Sequence, residues 1–132
     1  MLEYEPKILI AFAETLSGNT EIFNWLMKNG YPELGALSAA LRGSVEAGDW
    51  LLKNGFPQLA ALDQAIDGKA EAYLWLKRND YNLLCMFCDA CNNNPEALRW
   101  LAVNDLKIFI IIAEKFRAYR DNQYYDYHKM HF

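Results

Sequence analysis

Tryptophan occurs four times in the chain, at Trp25, Trp50, Trp75 and Trp100, and each is 25 residues from the next. A fixed period of this size marks a repeat array, in which one small unit is copied and stacked on its neighbours. The period limits what the chain can fold into. A unit of 25 residues has room for two short helices and the turns around them.

Other columns share the register. A glutamate precedes each Trp by four positions (Glu21, Glu46, Glu71, Glu96), a leucine follows it (Leu26, Leu51, Leu76, Leu101), and an asparagine stands four later (Asn29, Asn54, Asn79, Asn104). Large apolar residues recur at Leu34, Leu59, Leu84 and Phe109, and again at Leu37, Leu62, Phe87 and Ile112. Four full units follow, at 18–42, 43–67, 68–92 and 93–117. The segment from Lys7 to Glu14 matches the one from Lys107 to Glu114, so residues 1–17 form a half unit. At the other end Asp121 falls in the glutamate column and Tyr125 in the tryptophan column, which predicts a degenerate first half of a fifth unit over 118–132. The whole chain is then one domain.

Each unit reads as a helical hairpin. Ile22, Trp25 and Leu26, with their equivalents, have the i, i+3, i+4 spacing of one helical face. Asn19, Ser44 and Asn94 are candidate N-caps, and Pro95 suits a first turn. The glutamate column lies at the positive end of the helix dipole and Lys28, Lys53 and Arg78 at the negative end. Those cations line up along the stack, but helix complementation explains them better than an anion-binding ridge. Asn-Gly supplies a left-handed stop, and Pro32 and Pro57 start the second helix. Helices of about eleven residues are marginal alone in water, so stacking is obligatory. The predicted fold class is all-α, an α-α solenoid: a right-handed superhelix of antiparallel helix pairs.

Apolar residues make up 53% of the chain and aromatics 14%, enough core for one domain. The formal net charge of −4 argues against nucleic-acid binding, which normally needs a basic stripe. The first residues lack a secretory signal and no apolar run spans a bilayer, so the expected location is cytoplasmic, with no membrane contact. The expected state is a monomer or weak homodimer.

The run Asn54-Gly55-Phe56-Pro57-Gln58-Leu59, followed by Gly68-Lys69-Ala70-Glu71 and Trp75-Leu76, resembles the short helical units of leucine-rich variant repeats. Trp-Leu-x-x-Asn-Gly is also similar to divergent ankyrin-like repeats, although the Thr-Pro-Leu-His signature and the ~33-residue period of true ankyrin repeats are absent. The resemblance covers the four units and implies a curved helical stack used for recognition.

Cys85, Cys88 and Cys91 are spaced C-x-x-C-x-x-C, which resembles part of an iron-sulfur ligand run, and the leucine-rich variant resemblance implies that such a cluster can accompany this repeat. The spacing offers no fourth cysteine, and three free thiols on one helix of an intracellular protein read more simply as small apolar side chains. His128 and His131 give a second, two-ligand pattern near the C-terminus. No cofactor is expected.

The tryptophans face the apolar side in this register and are expected in the core; a row of exposed indoles would instead suit stacking on carbohydrate or peptide prolines. The asparagines are expected to bridge neighbouring units as a ladder. Function then falls on positions that vary between units. Phe23, Met27, Leu52, Tyr73 and Leu74, with Lys77, form the candidate partner-binding set, because several are large and apolar where a solvated face would be polar. No nucleophile stands beside a base in the repeat register, so the chain is not expected to be an enzyme. The leading expectation is a non-catalytic scaffold that binds a protein or peptide, with a metal protein using the three cysteines as the alternative.

Overall fold

A computed structural model describes the backbone of residues 1–130 and the side chains of residues 1–123. Among the described residues the fold is all-helical: α1 (Pro6–Leu16), α2 (Thr20–Lys28), α3 (Pro32–Leu41), α4 (Val45–Lys53), α5 (Pro57–Ile66), α6 (Ala70–Arg78), α7 (Asn82–Cys91), α8 (Pro95–Val103) and α9 (Lys107–Met130). No helix among them is long and apolar enough to cross a membrane.

Every link between helices is three residues long, and its central residue is left-handed. Gly18, Gly30, Gly43, Gly55 and Gly68 have φ between 86° and 102°, and Asp80, Asn93 and Asp105 have φ close to 60°. Glycine takes this conformation without a Cβ clash, and Asn and Asp tolerate it best among the rest. The predicted caps form as well. Asn19 Oδ1 accepts from the Ile22 amide at 3.1 Å, Ser44 Oγ from Ala47 at 3.1 Å, and Asn94 Oδ1 from Glu96 at 2.9 Å and Ala97 at 3.1 Å. Lys69 holds the same place in the third unit and provides no side-chain cap.

The asparagine column is not a ladder between units. Each Nδ2 donates back to the carbonyl of its own tryptophan, at 2.7 Å for Asn29 and 2.8 Å for Asn54, Asn79 and Asn104. An amide at the helix C-terminus reaches an orphan carbonyl one turn back more easily than a neighbouring unit.

The tryptophans are not core residues either. Trp25 is 46% exposed and Trp75 and Trp100 are each 36% exposed, whereas Leu26, Leu51, Leu76 and Leu101 are fully buried. Advancing one residue turns the helix by about 100°, which carries the Trp to the edge of the stripe centred on the following leucine. Its ring lies instead on the aromatic residue six positions later. Trp25 stacks on Tyr31, Trp50 on Phe56 and Trp75 on Tyr81, at centroid distances of 6.3, 6.1 and 5.8 Å. In these three units ring and carbonyl together clasp the hairpin turn, whereas Trp100 has the Asn104 bond with Leu106 in place of the aromatic residue.

Two sets of helices divide the burial. From α2, α4 and α6 a single leucine is fully enclosed, and from α8 Leu101 with Ala97. The alternate helices α1, α3, α5, α7 and α9 hold the centre, with Phe12, Leu37, Leu62, Phe87 and Ile112 wholly buried at intervals of one period. Each packs on the next in this series, and α9 packs on α1 more extensively than any other two helices meet. Glu14 and Lys115 face each other across that seam at 3.9 Å. Ile10 and Ile111 are about half exposed.

The expected half unit over 118–132 does not turn back. In the column of Gly18, Gly43, Gly68 and Asn93 the chain has Ala118, for which a left-handed angle costs roughly 1–2 kcal/mol; α9 therefore continues straight to Met130. Its extension crosses the ends of earlier helices. Arg117 Nη1 donates to the Ala90 carbonyl at 2.6 Å, Arg120 Nη2 to Cys91 at 2.9 Å, and the Tyr119 hydroxyl to Arg42 at 3.0 Å. Cations and donors at helix C-termini satisfy carbonyls that lack intrahelical partners. Beyond position 123, the side chains of Tyr125, His128 and His131 lie outside the described residues.

Because the leucine column is the core and the tryptophan column is a clasp, the two should differ in truncation cost. Leu51→Ala should lose about 2–5 kcal/mol of unfolding free energy, and Trp50→Ala roughly 1–2 kcal/mol, measured by urea titration. An indole loss exceeding the leucine loss would return the tryptophans to the core.

Candidate functional site

The variable positions lie on α2, α4, α6 and α8, and the structure separates them into two groups. Met27, Leu52 and Leu74 are 43%, 57% and 46% exposed, and Lys77 is exposed beside them. Phe23 and Tyr73 are only half exposed because they cover the helix that follows. Phe23 and Met27 lie against Gly35, where no side chain stands in their way. The Tyr73 hydroxyl donates to Asp89 Oδ2 at 2.9 Å, and the Lys77 ammonium sits 5.7 Å from the centre of its ring. Those contacts make Phe23 and Tyr73 part of the scaffold as well as part of the surface.

One member of this column is missing its side chain. Phe23, Tyr73 and Leu98 occupy the position that is Gly48 in the second unit. Where Tyr73 fills the space over α7, Gly48 leaves a cleft of about 310 Å³ over α5, bordered by the start of α4 and by Phe116 and Arg120 of α9. Gly48 is not among the candidate residues that the sequence pointed to. The signal was present as the only small residue in a column of large ones.

The cleft is acidic. Asp49, Asp63 and Asp67 line it together with Lys69 and Arg120. Asp63 falls in a column otherwise filled by buried small residues, Ala13, Ser38, Cys88 and Ala113, and is itself partly buried. Burial, and then the neighbouring Asp67 carboxylate, push its pKa from 3.8 up to about 6. Among the described residues it has no ion-pair partner. The Arg120 guanidinium is held elsewhere, by the Cys91 carbonyl and by Asn92 Oδ1 at 3.0 Å, and lies 5.2 Å from the centre of the Phe116 ring.

A second cavity, of about 300 Å³, lies where Met1 to Tyr4 meet the first turns of α5 and α7. Tyr4 packs edge-on against Tyr31 at 6.1 Å. Nearby Glu33 is buried in the first turn of α3 with Oε1 unpaired, and burial raises its pKa.

Cys85, Cys88 and Cys91 are all buried in α7. Burial is the main cause that raises each thiol, Cys88 to about 12, and Asp89 adds to the effect on Cys85 and Cys88. In α7 the three sulfurs are packed in the core as small side chains. Among the described residues no three His, Cys, Asp or Glu side chains are grouped as a metal site. His128 and His131 fall outside the described side chains.

Comparison with family models, curated proteins and solved structures returned no match to this chain.

The Asp63 carboxyl, raised in the folded state, stabilises the fold when protonated. Its contribution is therefore greatest below about pH 4 and is lost as pH rises through about 6. Asp49 and Asp67 oppose its ionisation, Lys69 and Arg120 favour it, and all four border the same cleft. Asp63→Asn should remove this dependence, so the wild type should lose about 1–2 kcal/mol relative to the variant between pH 4 and pH 7, after allowance for partial exposure. Parallel stability profiles for the two proteins would show that Asp63 titrates normally.

Proposed function

We propose that the protein is a non-catalytic interaction module: an α-hairpin repeat of the α-solenoid class that binds a protein or peptide partner through the variable face of α2, α4 and α6. The observation carrying this reading is the exposure of Met27, Leu52 and Leu74 at changing positions on a repeated scaffold. Large apolar side chains in water offer desolvation energy to a partner, and their variation between units supplies specificity. Trp25, Trp75 and Trp100 are also partly exposed, on the other flank of the same helices. Aromatic residues of this kind are common anchors at protein interfaces.

On this reading the repeat columns maintain the fold and the departures from them select the partner. Lys77 adds a cation at the edge of the face, where it would steer association more than strengthen it.

A triple variant, Met27→Ser, Leu52→Ser and Leu74→Ser, tests the reading. These side chains are about half solvated already, so the variant should unfold within several degrees of the wild type. A partner captured by the wild-type protein from its native lysate, and identified by mass spectrometry, should be lost by the triple variant. Equal recovery on both proteins would place binding elsewhere.

A further inference from the structure

The cleft at Gly48 lies between α4 and α5, with the end of α3 and α9 completing its walls. In the next unit the same volume is filled by Tyr73, whose hydroxyl is anchored on Asp89. In the second unit a Cβ built on Gly48 meets nothing closer than Asp63 Oδ2 at 3.9 Å. About 310 Å³ is left open, with Leu52 and Ala60 among its apolar lining and Asp63 among its polar lining. The second unit therefore lacks the side chain that stands here in the other units and has a carboxylate beside the gap where they have small residues.

Charge restricts the occupant. Asp63 of α5 and Asp67 at its C-cap are one turn apart, Asp49 of α4 lines the same cleft, and Asp63 has no ion pair among the described residues. Of the two bordering cations, Arg120 is engaged with α7 and Lys69 is exposed at the mouth. A half-buried carboxylate beside a second one gains most from a cation that brings its own apolar stem.

We propose that the Gly48 cleft receives an arginine side chain carried by the protein partner. The planar guanidinium presents a fork of donors to two carboxylates one turn apart, and its weak hydration suits a partly buried floor better than an ammonium does. The methylenes lie along Leu52 and Ala60, in the volume an aromatic ring fills in the neighbouring unit. This assignment rests on the interaction-module reading and gives the partner a chemical mark.

The test is a titration of the isotopically labelled protein with N-acetyl-arginine amide, followed by amide chemical shifts. Its control is N-acetyl-citrulline amide, of the same shape without the charge. The arginine probe should produce saturable shifts centred on Gly48, Asp63 and Gln64, with a dissociation constant on the order of 1 mM for a ligand of this size. The citrulline probe should bind at least about tenfold more weakly, and Asp63→Asn should weaken the arginine probe by about the same factor. Gly48→Phe should abolish the shifts while keeping a folded spectrum, because Phe23 already occupies that column in the first unit. Equal binding of the two probes, shifts that survive Gly48→Phe, or no saturable shift would each overturn the assignment. Met27→Ser with Leu74→Ser, both outside the cleft, separates the two proposals. If that pair abolishes partner capture while the arginine probe fails, the cleft assignment falls and the interaction module stands.

Discussion

A left-handed residue at the centre of each three-residue link is the constraint on which the architecture depends. The first eight helices have nine to eleven residues, too few to persist separately in water. Each is kept by contact with its neighbours, and the contact exists only where the chain reverses sharply. Gly18, Gly30, Gly43, Gly55, Gly68, Asp80, Asn93 and Asp105 supply the reversals, and Asn29, Asn54, Asn79 and Asn104 close the helix ends that precede half of them. The negative case agrees. Ala118 stands in the same column, the reversal is missing, and α9 runs on across the ends of α7 and α3.

With the turns set, hydrophobic burial follows a division of labour. The central helices provide Phe12, Leu37, Leu62, Phe87 and Ile112 to a shared interior, while the others each insert a leucine and present the rest to solvent. The contact between α9 and α1 joins the two ends of the array. An open stack would leave both ends exposed and need polar capping units. Here one terminal helix covers the other.

Much of this was legible in the sequence, because period, caps, prolines and left-handed residues are local signals. Helix positions and the buried leucine columns could be read from Trp spacing and its neighbours. The facing of the tryptophans could not. Positions i, i+3 and i+4 share a broad face, and only packing decides which edge is buried; Leu26 took the centre and Trp25 the rim. The asparagines were misassigned for a related reason, since a residue repeated in every unit can serve its own helix as readily as the next. The α1 to α9 contact, between segments about a hundred positions apart in a chain of 132, leaves no mark in any local pattern. The cleft was half visible: Gly48 breaks a column of large residues, but the carboxylate beneath it comes from the other helix of the unit.

The central claim is that short hairpins, each held by a left-handed link, form one cooperative body because its first and last helices meet. Native-state hydrogen exchange tests this most directly. Buried amides of α1 and of α9 up to Phe116 should exchange only through the same global opening as those of α5 and α7, with equal free energies and equal denaturant dependence. Exchange of α1 and α9 through separate, lower-energy openings, as at the fraying ends of a linear array, would contradict it.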